Sequence, residues 1–98
     1  MKSITLNKID FLDSWFKKKC NGVWEHQYGV TIESTDNPGW RIIIDDAERN
    51  ITTEKASFIE NFFEHQVSID VWDNNKVCIY APKLNIVLNA CVLLLKEM

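Results

Sequence analysis

Apolar and polar residues alternate on both sides of the sequence DNPG at residues 36–39. Alternation with a period of two is typical of a β-strand that buries one of its faces. The pattern therefore predicts a hairpin whose first strand starts near Trp24 and whose second strand ends near Asp45. The residues predicted to share one face of the first strand are Trp24, His26, Tyr28, Val30 and Ile32.

The length of the hairpin connection follows from this alternation. For Ile32 and Ile44 to lie on the same face, the connection must contain an odd number of residues, because a shift of one residue turns every side chain of a strand over. We therefore predict a connection of three or five residues, for example residues 37–39. Gly39 is expected to supply a positive φ angle in this connection.

Helical spacing marks both ends of the chain. Apolar residues at every third or fourth position predict an N-terminal helix over about residues 8–20, which the Asn21-Gly22 pair is expected to end. The sequence from 83 to 98 is apolar on nearly all sides and predicts a C-terminal helix. Such a helix is either enclosed within the domain or keeps one face for a partner or a second copy of the chain.

Residues 52–66 fit two structures. Their apolar residues have helical spacing, which slightly favours a helix, but they are also residue types that favour strands. These residues are Phe58, Ile59, Phe62 and Phe63.

Residues 68–81 predict a second hairpin, with a two-residue turn at Asn74-Asn75 and a stop at Pro82. The order along the chain is helix, hairpin, ambiguous segment, hairpin and helix. This order predicts one α+β domain over residues 1–98, in which an antiparallel β-sheet of about four to five strands is flanked by an N-terminal and a C-terminal helix.

Composition argues against several classes of protein. The formal net charge of −3 is unfavourable for nucleic-acid binding. Cys20, Cys78 and Cys91 are odd in number and lack C-x-x-C spacing, which indicates reduced thiols of a cytoplasmic protein instead of a zinc site or disulfides. The N-terminus has no apolar signal core, and residues 84–95 are too short to span a bilayer. We expect a soluble domain with no cofactor, metal, nucleic-acid or membrane partner.

The best catalytic pairing in the sequence is Cys20 as nucleophile with His26 as base. Cys20 is expected near the C-terminal end of a helix, where the helix dipole does not stabilise a thiolate, although three lysines precede it. The simpler interpretation is that Cys20 closes the helix as a small apolar residue and that His26 is a core residue. A small Cys/His enzyme of transferase or hydrolase type is the weaker alternative.

The first hairpin carries the residue types that protein interfaces use. Aromatic and arginine anchors surrounded by charged residues are typical of such interfaces. Trp40 has a second interpretation, since packing over the turn at residues 38–39 would close the edge of the core. The candidate partner-binding residues are Glu25, Asp36, Asn37, Trp40, Arg41, Asp45, Asp46 and Glu48.

The run CNGVWEHQYGVTIESTDNPGW at residues 20–40 resembles the signature of the immunity protein 53 family of bacterial polymorphic toxin systems. That signature reads approximately W-E-H-x-Y-G-I-x-I-x-T-L-D-N-P-G-W, and the Trp15-Phe16 pair resembles the W-Y dipeptide before it. Asn21 stands in place of an aspartate, and Thr35 in place of an apolar residue. The matching residues are Trp24, Glu25, His26, Tyr28, Gly29, Ile32, Asp36, Asn37, Pro38, Gly39 and Trp40.

The resemblance implies a non-catalytic inhibitor that binds and neutralises a cognate toxin, and it favours strand over helix for residues 56–64. Because immunity proteins usually vary where they touch toxins, we interpret the shared motif as structural. On that interpretation, His26→Ala is expected to destabilise the fold by about 1–3 kcal/mol. The alternative function is another protein-binding or regulatory module that forms a homodimer through the C-terminal helix. The residues assigned a structural role are Trp24, His26, Tyr28, Gly29, Pro38 and Gly39.

Overall fold

The computed structural model describes residues 8–45, 51–72 and 76–96. The elements in chain order are α1 (Lys8–Lys19), α2 (Trp24–Gln27), β1 (Val30–Thr35), β2 (Gly39–Ile44), α3 (Thr53–Phe62), β3 (Ser68–Val71), β4 (Val77–Ala81) and α4 (Leu84–Leu95). The strands form one antiparallel sheet in the order β1-β2-β4-β3. The predicted α+β class is confirmed, and the four strands in the described residues agree with the predicted number.

The register of the first hairpin confirms an odd-numbered connection. Ile32 pairs with Ile42, and Thr35 pairs with Gly39, so the three residues 36–38 connect the strands. The predicted example, residues 37–39, was displaced by one position. Gly39 is the first residue of β2 and does not have a positive φ angle, so the conformational role predicted for it was wrong.

Glycine is required at position 39 for another reason, which is that the side chain of Tyr80 on the neighbouring strand β4 lies very close to it. A Cβ atom at Gly39 would lie 2.6 Å from the Tyr80 hydroxyl oxygen and 2.7 Å from its Cε1. The same hydroxyl donates a hydrogen bond of 3.5 Å to the Pro38 carbonyl oxygen, which ties β4 to the hairpin connection. Glycine at this position therefore makes room for an aromatic ring.

We expect Gly39→Ala to lower the free energy of unfolding by about 1–3 kcal/mol, because the added methyl group overpacks the site against the Tyr80 ring. Urea denaturation of the variant, alone and combined with Tyr80→Ala, measures this effect. In the Tyr80→Ala background the cost of the added methyl should largely disappear. An equal cost in both backgrounds would show that the ring is not the obstacle.

The core lies between the sheet and α4. This helix packs across β2 and β4 and also contacts α1 and α3, so the domain encloses it on several sides. Its apolar character is explained by that enclosure, and the alternative of a homodimer through this helix gains no support. The buried strand residues that face the core are Ile42, Ile44, Ile69, Val77, Ile79 and Ala81.

The region before β1 is not the strand that the alternation predicted. Trp24 starts the single-turn helix α2, and β1 begins only at Val30. His26 and Tyr28 are exposed, so the prediction of a common buried strand face with Trp24 was wrong. The helix α1 agrees with the predicted boundaries, and Gly22 has a φ angle of +93°, as expected of a glycine that ends a helix.

The segment that fitted two structures forms the helix α3. The strand favoured by the family resemblance for residues 56–64 was wrong, and the helical spacing gave the correct structure. Thr52 caps the helix, because its hydroxyl oxygen accepts a hydrogen bond of 3.1 Å from the Lys55 N–H. Ala56 and Ile59 form the buried side of the helix.

The second hairpin and its end at Pro82 are confirmed, since β3 and β4 pair and β4 ends at Ala81. The predicted two-residue turn lies within residues 73–75, outside the described residues. The flanking register places Val71 opposite Val77, and the Trp72 N–H donates to the Lys76 carbonyl over 2.7 Å.

Candidate functional site

The densest part of the sequence motif forms an aromatic cluster between α1 and α2. Trp24 is 6% exposed, and its ring centroid lies 6.2 Å from Trp15, 5.9 Å from Phe16 and 6.0 Å from Tyr28. The Lys19 ammonium lies 5.7 and 5.8 Å from the ring centroids of Trp15 and Trp24, a cation–π arrangement. These contacts give Trp24 a structural role as the residue that holds α2 against α1.

Two polar residues fold the chain between these helices. The Asn21 side-chain oxygen accepts hydrogen bonds from the N–H groups of Val23 and Trp24, at 2.9 and 3.0 Å. In return, the Glu25 carboxylate accepts from the N–H groups of Asn21 and Gly22, both at 2.9 Å. The reciprocal pattern resembles a capping box, which satisfies the free N–H groups at the start of a helix.

These bonds also determine the charge state of Glu25. Its own backbone N–H, followed by those of Asn21 and Gly22, holds the pKa of Glu25 below its ordinary value. Glu25 was a candidate for partner binding, but its carboxylate is occupied by the protein's own backbone. The aspartate that the family motif has in place of Asn21 can make the same bonds, since both residues are preferred N-caps.

We expect Asn21→Ala to lower the free energy of unfolding by about 1 kcal/mol, the typical cost of removing a side-chain cap. Asn21→Asp is the matched control and should remain close to the parent, because its carboxylate oxygen accepts from the same two N–H groups. Thermal unfolding followed by circular dichroism measures both variants. If Asn21→Ala unfolds like the parent, the bonds to Val23 and Trp24 do not stabilise the fold.

The other candidate residues of the first hairpin do not converge on one surface. Asp36 and Asn37 are exposed in the connection, where the Asn37 side-chain oxygen accepts a 2.6 Å bond from the Thr35 hydroxyl. Trp40 is half-buried and packs against the core. Its neighbour Arg41 lies on the opposite face of the sheet, since successive residues of a strand alternate.

Arg41 and Asp45 already have partners within the domain. The Arg41 guanidinium donates to the Glu33 carboxylate, with its Nε 2.6 Å away, across the pair β1-β2. Asp45 accepts from the Gly29 N–H at 3.2 Å and lies 3.5 Å from the Lys76 ammonium. Asp46 and Glu48 lie outside the described residues, so partner binding by this set stays a prediction.

The Cys20 thiol is hydrogen-bonded to the backbone of α1 and not to His26. The Cys20 thiol donates to the Phe16 carbonyl oxygen over 3.2 Å, and loss of solvent, followed by the charge of Glu25, raises its pKa. A raised pKa leaves the neutral thiol, which is a poor nucleophile. Across residues 8–45, 51–72 and 76–96, no three His, Cys, Asp or Glu side chains are grouped so that they could hold a metal ion. None of the helices in these ranges is long and apolar enough to cross a membrane.

Sequence reasoning missed an apolar surface on α3. Phe58 and Phe62 are 68% and 64% exposed, although both are large apolar residues. They are four positions apart on a helix and therefore neighbours on its surface. The helical spacing of the segment places Phe58 and Phe62 on one side of a helix. That this side is exposed follows only once Ala56 and Ile59 are known to be buried.

The motif residues around Trp24 thus form a structural unit between α1 and α2. A family profile described as Immunity protein 53 matches residues 9–81, which extends from α1 to the end of β4. The chain therefore belongs to the immunity protein 53 family. No curated protein and no solved structure gives a significant match.

Proposed function

We propose that this protein is an immunity protein that binds a cognate bacterial polymorphic toxin in the cytoplasm and neutralises it without catalysis. The observation that carries the proposal is membership of the immunity protein 53 family over residues 9–81. The Cys20 thiol donates to the Phe16 carbonyl oxygen and its pKa is raised, which gives no support to a Cys/His enzyme.

The charge of the chain bears on how the complex forms. A net charge of −3 would favour encounter with a basic toxin and would make association slower as salt increases. Asp36 and Asn37 in the hairpin connection are the described candidates that are exposed to such a partner, whereas Arg41 is half-buried and paired with Glu33. We propose Asp36 and Asn37 as toxin contacts on this basis.

Coexpression with a polymorphic-toxin domain whose gene is found beside this one tests the proposal. The protein should restore growth to cells that produce the toxin, and it should copurify with a catalytically inactive form of the toxin. A toxin from an unrelated system is the control and should be neither bound nor neutralised. Cells that die at the same rate with and without the protein would refute the proposed function.

A further inference from the structure

The exposed pair on α3 is unusual for a small globular domain. Single apolar side chains are common on protein surfaces, but adjacent large ones mark places where another molecule binds. Phe58 and Phe62 are each about two-thirds exposed and lie one helical turn apart. Helix-in-groove recognition uses apolar anchors at this spacing.

The helix that carries the pair is fixed at several points. The Glu60 carboxylate accepts a 2.8 Å bond from the Ile69 N–H on β3, and the Lys55 ammonium donates to the Lys96 carbonyl oxygen at 3.2 Å. The Phe62 ring stands edge-on to Phe63, with 5.1 Å between centroids, and Phe63 packs against the core. Because the helix and one of the rings are held in place, little ordering is needed when a partner binds.

The charges beside the pair are two negative ones and one positive one. Glu54 lies one turn before Phe58, Glu64 follows Phe62 by two positions, and both glutamates are exposed. Lys55 also lies one turn before Phe58. Its ammonium donates to the neutral carbonyl of Lys96, so its positive charge remains. The surface is therefore two aromatic rings whose border has a net negative charge, which is complementary to an apolar pocket bordered by lysine or arginine.

We propose that Phe58 and Phe62, with Glu54 and Glu64 beside them, form the surface that anchors the cognate toxin through an apolar pocket with a basic border. This inference rests on the proposed function and specifies the surface that performs it. A second copy of the chain is a poorer occupant, because two α3 surfaces placed together would bring four glutamates and only two lysines into the same interface. The first hairpin is a poorer anchor, because Trp40 and Arg41 lie on opposite faces.

The test compares the toxin affinity of the full chain with that of Phe58→Ser/Phe62→Ser, by calorimetry with the inactive toxin domain. Aromatic anchors at the centre of an interface are energetically dominant, so we expect the double variant to bind about 100-fold more weakly or worse and to lose growth protection. Its melting temperature should stay near that of the parent, since both rings are largely exposed. If the double variant is less stable than the parent, the affinities of the single variants Phe58→Ser and Phe62→Ser are compared with that of the parent instead.

Two further variants separate the chemistry of the surface from general effects. Val23→Ser removes another side chain that is 61% exposed, outside α3, and should change the affinity by less than about twofold. Glu54→Lys/Glu64→Lys should slow association several-fold and reverse its dependence on salt, because it replaces the negative charges of the border by positive ones.

Three results would overturn the inference. The first is parent-like affinity of the double phenylalanine variant, with loss of binding in Asp36→Ala/Arg41→Ala, which would place the anchor on the hairpin. The second is a dimeric parent that the double variant converts to a monomer at unchanged toxin affinity, which would assign the surface to a second copy of the chain. The third is failure of the parent itself to bind or neutralise the toxin, and only this result would also refute the proposed function.

Discussion

Trp24→Ala should lower the free energy of unfolding by about 3–5 kcal/mol, the usual cost of truncating a buried tryptophan. The side chain is 6% exposed and contacts the rings of Trp15, Phe16 and Tyr28. Its loss would leave a cavity between α1 and α2 that the short helix is poorly placed to fill. Urea denaturation with a constant m-value would measure the effect.

Two variants show whether the cost arises from packing. The Trp24 indole N–H is buried without a hydrogen-bond partner in the described residues, so Trp24→Phe removes an unsatisfied donor together with some volume and should cost much less than alanine. His26→Ala should change stability by less than about 0.5 kcal/mol, because His26 is exposed. The sequence alone had predicted a larger loss of stability for His26→Ala, on the assumption that His26 is buried. A cost at His26 equal to that at Trp24 would contradict the assignment of the cluster.

The sheet could be predicted because its signal is local and periodic. The odd number of residues in the first hairpin connection followed from the alternation of the two strands alone. The prediction of an odd number was correct although the position of the loop was displaced by one residue. The role of Gly39 could not be predicted in this way. It depends on Tyr80, which lies more than forty positions away in the chain and reaches Gly39 only through the pairing of β2 with β4.

The region from residue 21 to residue 28 was misread because its sequence imitates a strand. Trp24, His26 and Tyr28 alternate with polar residues, as they would in a half-buried strand. The side-chain bonds of Asn21 and Glu25 override this pattern and close a helical turn instead. Side-chain bonds of this kind can form a helical turn where a short alternating pattern predicts a strand. Only a longer alternating pattern would identify a strand with certainty.

The candidate binding surface was harder to predict than the fold. Trp40 and Arg41 are adjacent in a strand, so alternation already placed them on opposite faces and argued against a shared anchor. The exposure of Phe58 and Phe62, by contrast, depends on tertiary packing. An exposed phenylalanine has the same sequence signal as a buried one, and only the packing of α3 against β3 and α4 shows which side of the helix is left uncovered.

Above pH 9 the protein should lose stability by about 1 kcal/mol for each pH unit because of Cys91. This thiol is 1% exposed inside α4, and burial raises its pKa from 9.0 to about 12. Between these values the unfolded chain releases the thiol proton while the folded chain keeps it. The folded state then binds more protons than the unfolded state, so the free energy of unfolding falls as pH rises.

The contribution of Cys91 can be isolated with Cys91→Ala. Lysines and tyrosines also titrate in this range, but they do so in both proteins, and their effect cancels in the difference between the two curves. Below pH 9 the alanine variant should be less stable than the parent by a constant amount, through lost packing. From pH 9 to 10.5, urea denaturation should show this difference shrinking. Parallel curves would mean that the thiol ionises with equal ease in the folded and unfolded chains, and hence that water reaches the interior of α4.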